Sequence, residues 1–85
     1  MAKTIRSAGH LALVGALVEA RLARGLTQSE LAERLGCHQS FVARIETEQR
    51  RIDVSELVIL CRALEADPVV ILRKVMKATP QGERI

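Results

Sequence analysis

The sequence predicts an all-α fold in which five helices form one compact bundle. Apolar residues recur at helical spacing along most of the 85-residue chain. Capping residues at Thr27, Asp53 and Asp67 mark helix starts, and Gly25 and Gly36 mark helix ends. The 48% of hydrophobic residues is sufficient for a globular core, which must be aliphatic because the chain has one Phe and neither Trp nor Tyr.

The bundle is predicted over residues 8–77 as a single domain. Residues 1–7 show no apolar period and are expected to form a flexible N-terminal arm. Residues 78–85 contain Pro80 and Gly82 and are expected to form a frayed tail.

The first helix is predicted over residues 8–24 and ends at Gly25. Its apolar residues form two neighbouring stripes, although one is enough for the core of a small domain. The first stripe contains Leu13, Val14 and Leu17. The second stripe, which we call the Leu11 strip, contains Leu11, Val18 and Leu22.

The stretch that begins at Thr27 predicts two short helices, over residues 28–35 and 39–46. Thr27 and Glu30 form a capping box, because each side chain can bond the backbone amide of the other. Gly36 supplies the positive φ of the left-handed cap that ends the first of these helices. Two helices joined by so tight a turn are expected to cross steeply, as in a helix-turn-helix.

The last two helices also begin at capping signals. Asp53 and Glu56 form a second capping box, which starts the fourth helix at Val54. Asp67 caps the fifth helix, predicted over residues 68–77 with a proline at its first position.

The stretch from Gly25 to Glu46 contains a set of residues with a specific spacing: Gly25-Leu26-Thr27-Gln28, Glu30-Leu31-Ala32, Leu35-Gly36, Val42 and Arg44-Ile45-Glu46. In residue type and spacing, this set resembles the helix-turn-helix of phage repressors and Cro proteins, the XRE family. The similarity extends from about Leu17 to Leu72, and the resemblance implies a lambda-repressor-like fold. The sequence departs from the family at Cys37, where Val is usual, and at His38, where a Ser or Thr cap is usual.

The resemblance implies a sequence-specific transcriptional regulator that binds double-stranded DNA. Helix 39–46 would lie in the major groove, and a homodimer would contact two half-sites of a palindromic operator about 34 Å apart. We expect a repressor or autoregulator; a restriction–modification controller, an antitoxin and a Cro-like protein remain open. The net charge of +3 permits a polyanionic partner. Single-stranded nucleic acid is disfavoured, because aromatic residues for base stacking are nearly absent.

Four residues of helix 39–46 are candidates for base contacts, since they project from one face. Gln can bond adenine and Arg can bond guanine in a bidentate manner, and an Ala methyl can meet that of thymine. In the family, the residue that matches Gln39 commonly reaches a base. The residue that matches Gln28 bonds a phosphate and supports the one at Gln39. The candidates for base contacts are Gln39, Ser40, Ala43 and Arg44.

Contacts with the DNA backbone are expected at the edges of the motif. Residues 47–51 are either a solvated loop or a phosphate-contacting segment. His38 is either a substitute helix cap or a neighbour of a phosphate. Lys3 and Arg6 belong either to a solvated tail or to an arm that touches the backbone. The candidates within the motif are Thr27, Gln28, His38, Thr47, Arg50 and Arg51.

Arg21 and Glu46 match two family positions that form an ion pair. The resemblance therefore implies that they tie the first helix to the end of the third. If the pair is partly buried, losing one partner costs more than it does in a surface pair. We expect its role to be structural.

The predicted fifth helix carries more apolar surface than the core needs. Ile71 and Val75 can face the bundle, yet the apolar arc continues past them. We expect a second copy to cover this surplus, because a monomer would expose an unusually large patch. In the resembling repressors this region commonly forms the twofold contact, and the Leu11 strip would be its flank or a seat for the fifth helix. The surplus on the fifth helix, which we call the Leu72 strip, contains Val69, Leu72 and Met76.

No metal or cofactor is expected. The side chains of His10, Cys37, His38 and Cys61 fit no established ligand spacing, and the thiols are expected to act as small hydrophobes. Catalysis is disfavoured, because no nucleophile with a base and no glycine-rich phosphate loop is apparent. The remaining alternative is a protein-binding adaptor on the same fold.

A cytoplasmic protein is expected. No segment approaches the ~20 apolar residues of a membrane-spanning helix. The run LALVGALV after Lys3 and Arg6 mimics a short signal peptide, but Glu19 ends this run early. Cleavage there would also remove the helix that leads into Gly25.

Overall fold

The structure, a computed structural model, describes residues 7–85 and confirms the predicted all-α class. Lys3 and Arg6 lie outside the described residues. No strand occurs between residues 7 and 85, and the capping oxygen of Ser7 accepts from the amide of His10. Five helices follow one another: α1 (Ala8–Ala23), α2 (Gln28–Leu35), α3 (Gln39–Glu46), α4 (Val54–Leu64) and α5 (Pro68–Ala78).

Both predicted capping boxes are confirmed. Thr27 Oγ1 accepts from the Glu30 amide at 3.1 Å, and Glu30 Oε1 accepts from the Thr27 amide at 2.8 Å. Asp53 and Glu56 make the equivalent bonds at 2.7 and 3.0 Å. Each box satisfies amides that the first turn of a helix leaves without a partner, so α2 and α4 begin at fixed residues.

The core is aliphatic and draws on all five helices. Val42 of α3 and Leu64 of α4 are each 1% exposed, and Cys61 is fully buried. Since every helix contributes to one cluster, the helix-turn-helix formed by α2 and α3 is held in place by close packing against the other three helices. The cluster contains Ala16, Leu17, Leu31, Ala32, Val42, Ile45, Leu60, Cys61, Leu64 and Ile71.

Helix α5 lies against α1, with its C-terminal end at Gly9. A β-carbon built on Gly9 would lie 2.5 Å from Thr79 Oγ1 and 3.5 Å from Val75 Cγ1, so the two helices approach closely there. Leu11, about 200° around α1 from Gly9, is 40% exposed, and Leu22 is 61% exposed. The Leu11 strip is therefore not the seat of α5, which was one of its two expected roles.

Two arginines cap the end of α4, where Glu65 adopts a left-handed conformation with φ of 54°. Arg24 Nε donates to the carbonyl oxygen of Leu64 at 3.0 Å, and Arg34 Nη1 donates to that of Ala63 at 2.9 Å. These carbonyls belong to the last turn of a helix, where positive charge is favourable. The contacts join the ends of α1 and α2 to α4.

Arg50 connects α3 to the start of α4. Its guanidinium lies 4.5 Å from the centroid of the Phe41 ring. Nη1 and Nη2 donate to the two carboxylate oxygens of Glu56 at 2.9 and 2.7 Å, and Nη1 also donates to the carbonyl of Arg51. This ion pair, helped by the Asp53 amide, lowers the pKa of Glu56 to about 2.

We expect opposite effects from two Gly→Ala substitutions in α1. Gly15 has open space around it, so Gly15→Ala should raise the free energy of unfolding by about 0.5–1 kcal/mol through helix propensity. Gly9→Ala has the same propensity gain but forces its methyl group onto Thr79, and overpacking costs about 1–3 kcal/mol. Urea unfolding of both variants measures the difference. Equal gains would show that α5 does not press on α1 at Gly9.

The Arg50–Glu56 pair should make part of the stability depend on pH. The pKa of Glu56 is depressed from 4.5 to about 2 in the folded state, so its contribution is present above pH 4.5 and is lost as the pH falls toward 2. The difference in unfolding free energy between wild type and Glu56→Gln should therefore shrink over this range. The control is Arg50→Met, in which the pH dependence should weaken. An unchanged pH profile in Arg50→Met would contradict the assigned cause.

Candidate nucleic-acid interface

Helix α3 presents its polar side to solvent and its apolar side to the core. Val42 and Ile45 are buried at 1% and 2% exposure and fix the helix on the bundle. Of the four predicted base-contacting residues, three are exposed and Ala43 is half-buried. The structure thus brings Gln39, Ser40, Ala43 and Arg44 together along one accessible face.

One carboxylate joins α1, α2 and α3. Glu46 Oε2 accepts from Arg21 Nε at 2.7 Å, and Oε1 accepts from Arg21 Nη2 at 3.0 Å. The side chains are 12% and 9% exposed, so this ion pair is largely shielded from water. Arg21 Nη1 also donates to the carbonyl of Leu26 at 2.7 Å, which fixes the chain just before α2.

A chain of hydrogen bonds continues from this carboxylate to the exposed face of α3. Gln28 Nε2 donates to Glu46 Oε1 at 2.8 Å. Gln28 Oε1 in turn accepts from Gln39 Nε2 at 2.7 Å. The side chain of Gln39, although exposed, is therefore held from behind by Gln28 and has a preferred orientation.

The N-terminus of α3 has no side-chain cap. His38 occupies the capping position with φ of −86° and ψ of 152°, but its side chain makes no capping hydrogen bond. Of the two expected roles for His38, the substitute cap is therefore wrong. Thr27, by contrast, uses its hydroxyl as the acceptor in the capping box of α2.

The residues after α3 that were predicted to contact phosphate differ in their contacts within the protein. Thr47 Oγ1 donates to the carbonyl of Ala43 at 2.7 Å, and Arg51 is exposed. Arg50, a predicted phosphate contact, instead pairs with Glu56 and lies over Phe41. Its guanidinium is occupied within the protein, because the carboxylate takes both terminal nitrogens. Sequence reasoning missed this structural role, for which the only signal was an acidic residue six positions further on.

The cysteines and histidines considered as metal ligands do not form a metal site in the described part of the chain. Between residues 7 and 85, no group of three or more His, Cys, Asp and Glu side chains is placed to hold a metal ion. Burial raises the pKa of both Cys37 and Cys61, which disfavours the reactive thiolate. In the same part of the chain, no helix is long and apolar enough to cross a bilayer.

The predicted dimer residues remain accessible in the single chain. Val69, Leu72 and Met76 are 52%, 48% and 67% exposed. In the Leu11 strip, Val18 is half-buried, whereas the other two residues are exposed. The chain therefore presents apolar surface on α1 and on α5.

Comparison with known proteins assigns the chain to a family. The family model described as helix-turn-helix matches residues 17–71. The control protein C.SmaI from Serratia marcescens is 34% identical over 53 residues, or 61% of this chain and 63% of that protein. The chain thus spans less than two thirds of that relative's length.

Two solved structures share the fold. An XRE-family like protein from Pseudomonas syringae pv. tomato str. DC3000 is 48% identical, with a TM-score of 0.78 over 86% of this chain and 89% of that one. The restriction-modification controller protein C.AhdI from Aeromonas hydrophila is 32% identical, with a TM-score of 0.62 over 74% and 86%. With more than half of its length matched by the family model, the chain belongs to the XRE family of helix-turn-helix, DNA-binding transcription regulators.

Proposed function

We propose that the protein represses or autoregulates transcription as a homodimer on a palindromic operator, with α3 in the major groove. The observation that carries this proposal is the hydrogen-bonded chain that ends at Gln39, because a pre-oriented amide on an exposed helix is suited to read a base edge. The names of two relatives, a control protein and a restriction-modification controller, favour the controller class among the possible regulators. Its DNA partner would place the protein in the cytoplasm.

Base recognition is assigned to the exposed face of α3. Gln39 would bond adenine, and Arg44 would bond N7 and O6 of guanine. Ser40 can donate to or accept from either type of base, and the Ala43 methyl would meet a thymine methyl. All four lie on the side of α3 opposite the buried Val42 and Ile45, so they can enter a groove without disturbing the core.

Phosphate contacts are assigned to residues around the two helix N-termini and after α3. The uncapped amides of α3 next to His38 favour an anion, as helix N-termini do. Arg50 and Thr47 are left out of this set, because the Arg50 guanidinium is paired with Glu56 and the Thr47 hydroxyl donates to the carbonyl of Ala43. The proposed backbone contacts are Thr27, Gln28, His38 and Arg51.

Dimerisation is assigned to the Leu72 strip of α5. Its three residues lie side by side on the helix, beyond the buried Ile71. Burying them against the same strip of a second copy would remove a contiguous apolar surface from water. The Leu11 strip, which α5 does not cover, would flank this contact.

A gel-retardation assay with mixed duplex DNA at low salt tests the proposal as a whole. A DNA-binding regulator should retard the DNA, and the affinity should fall steeply with salt as counterions are released. An adaptor on the same fold would show no salt-dependent retardation.

Two arginine variants should change DNA binding in different ways, one affecting sequence preference and the other overall affinity. Arg44→Ala should cost about 1–3 kcal/mol and relax the preference at one base pair. Arg51→Ala should weaken binding to all sequences alike and reduce the slope of log affinity against log salt by about one. Fluorescence anisotropy with duplexes selected from a random library measures both quantities. Wild-type behaviour of both variants would show that the DNA-contacting face lies elsewhere.

Leu72→Asp should convert the protein to a folded monomer. Charges placed in an apolar interface lose hydration without a partner, so the dimer should dissociate and operator affinity should fall. The matched control is Val70→Asp, since Val70 is 49% exposed but lies about 200° around α5 from Leu72. Sedimentation and circular dichroism distinguish dissociation from unfolding. A wild type that remains monomeric at tens of micromolar would contradict the proposed dimer.

A further inference from the structure

The chemistry of Glu46 restricts how Gln28 can orient its side chain. An ionised carboxylate accepts hydrogen bonds and cannot donate them. At 2.8 Å from Glu46 Oε1, the Gln28 amide must therefore present its Nε2 to the carboxylate. A flipped amide would place its oxygen against the carboxylate oxygen, with two acceptors in contact and no proton between them.

This restriction passes on to Gln39. Once Gln28 Nε2 faces Glu46, Gln28 Oε1 faces Gln39 and can only accept. Gln39 must then turn its own Nε2 toward Gln28, as the 2.7 Å bond requires. The Gln39 amide keeps one N–H and the carbonyl oxygen available for a partner outside the protein.

We propose that Glu46 is a positioning residue for base recognition, because it fixes the order of donor and acceptor that Gln39 presents to DNA. This inference rests on the proposed function, in which Gln39 contacts a base. Adenine presents the acceptor N7 and the donor N6 in a fixed order along the major groove. An amide held in one orientation matches that order, whereas an amide free to flip matches it only part of the time.

Arg21 acts on the same carboxylate from the other side. It donates to both oxygens of Glu46 and neutralises its charge, but it makes no contact with Gln28 or Gln39 among the hydrogen bonds of residues 7–85. Loss of Arg21 removes the ion pair and leaves an acceptor facing Gln28. Loss of the negative charge at Glu46 also removes the ion pair, but it permits Gln28 to flip. The two partners of one ion pair thus have separable roles.

The test compares Glu46→Gln with Arg21→Met in selections from one random duplex library. Gln39→Ala identifies the base pair that Gln39 contacts, as the position whose preference disappears. Glu46→Gln should reduce the base preference at that same position by about tenfold. It should leave unchanged the base preference at the position that Arg44 contacts, which Arg44→Ala identifies. Arg21→Met should keep both preferences, although it also destabilises the fold. In a Gln39→Ala background, Glu46→Gln should change no further preference.

Circular dichroism shows whether each variant is folded. A second variant tests the same inference without breaking the ion pair. Gln28→Leu leaves the Arg21–Glu46 pair in place and removes the intermediate amide, so it should lower the preference at the same base pair. In ¹⁵N–¹H spectra of the free protein, the side-chain amide signal of Gln28 should shift in Glu46→Gln and stay near its place in Arg21→Met.

The possible outcomes separate this inference from the proposed function. A wild type that selects no sequence overturns the proposed function, and the role of Glu46 with it. A wild type that selects an operator, with Glu46→Gln keeping the full preference at the Gln39 position, overturns the inference alone. Equal losses at all positions in Glu46→Gln and Arg21→Met would assign Glu46 a purely structural role and would also overturn it.

Discussion

The shielded carboxylate of Glu46 is the point on which the geometry of α1, α2 and α3 depends. A charge removed from water is costly unless it is paired and hydrogen-bonded. Arg21 supplies two bonds and Gln28 a third, so the carboxylate is satisfied only when the three helices keep their relative positions. Together with the tight turn at Gly36, this arrangement fixes how α2 and α3 lie relative to each other.

The remaining helices hold this arrangement in place by aliphatic packing and by arginine contacts. Arg24 and Arg34 bond the last carbonyls of α4, and Arg50 bonds its capping box. All three guanidiniums donate hydrogen bonds to acceptors within the protein. A mildly basic chain therefore offers fewer free cations to DNA than its composition suggests.

Local signals in the sequence were sufficient to predict where most helices begin and end, but not to predict which residues the long side chains contact. Capping boxes and αL glycines act over three or four residues, so the starts of α2 and α4 and the glycine that ends α2 could be predicted. The end of α4 could not, because Glu65 takes a left-handed conformation without being glycine and the capping arginines come from distant parts of the chain. The ion pair of Arg50 was missed for the same reason: its partners Phe41 and Glu56 become neighbours only in the fold.

Because α3 lacks a side-chain cap, its first turn should open more readily than the rest of the bundle. A helix of eight residues is too short to persist by itself, and here its first turn also lacks the bond that a Ser or Thr would give. Val42 and Ile45 fix the middle and end of α3, whereas Gln39 is exposed and its side chain bonds only Gln28 among the hydrogen bonds of the described residues. Opening of the first turn therefore costs less free energy than opening of the core, and its amides should exchange their hydrogens sooner. A phosphate docked on the uncapped amides, as in the proposed function, would suppress this opening.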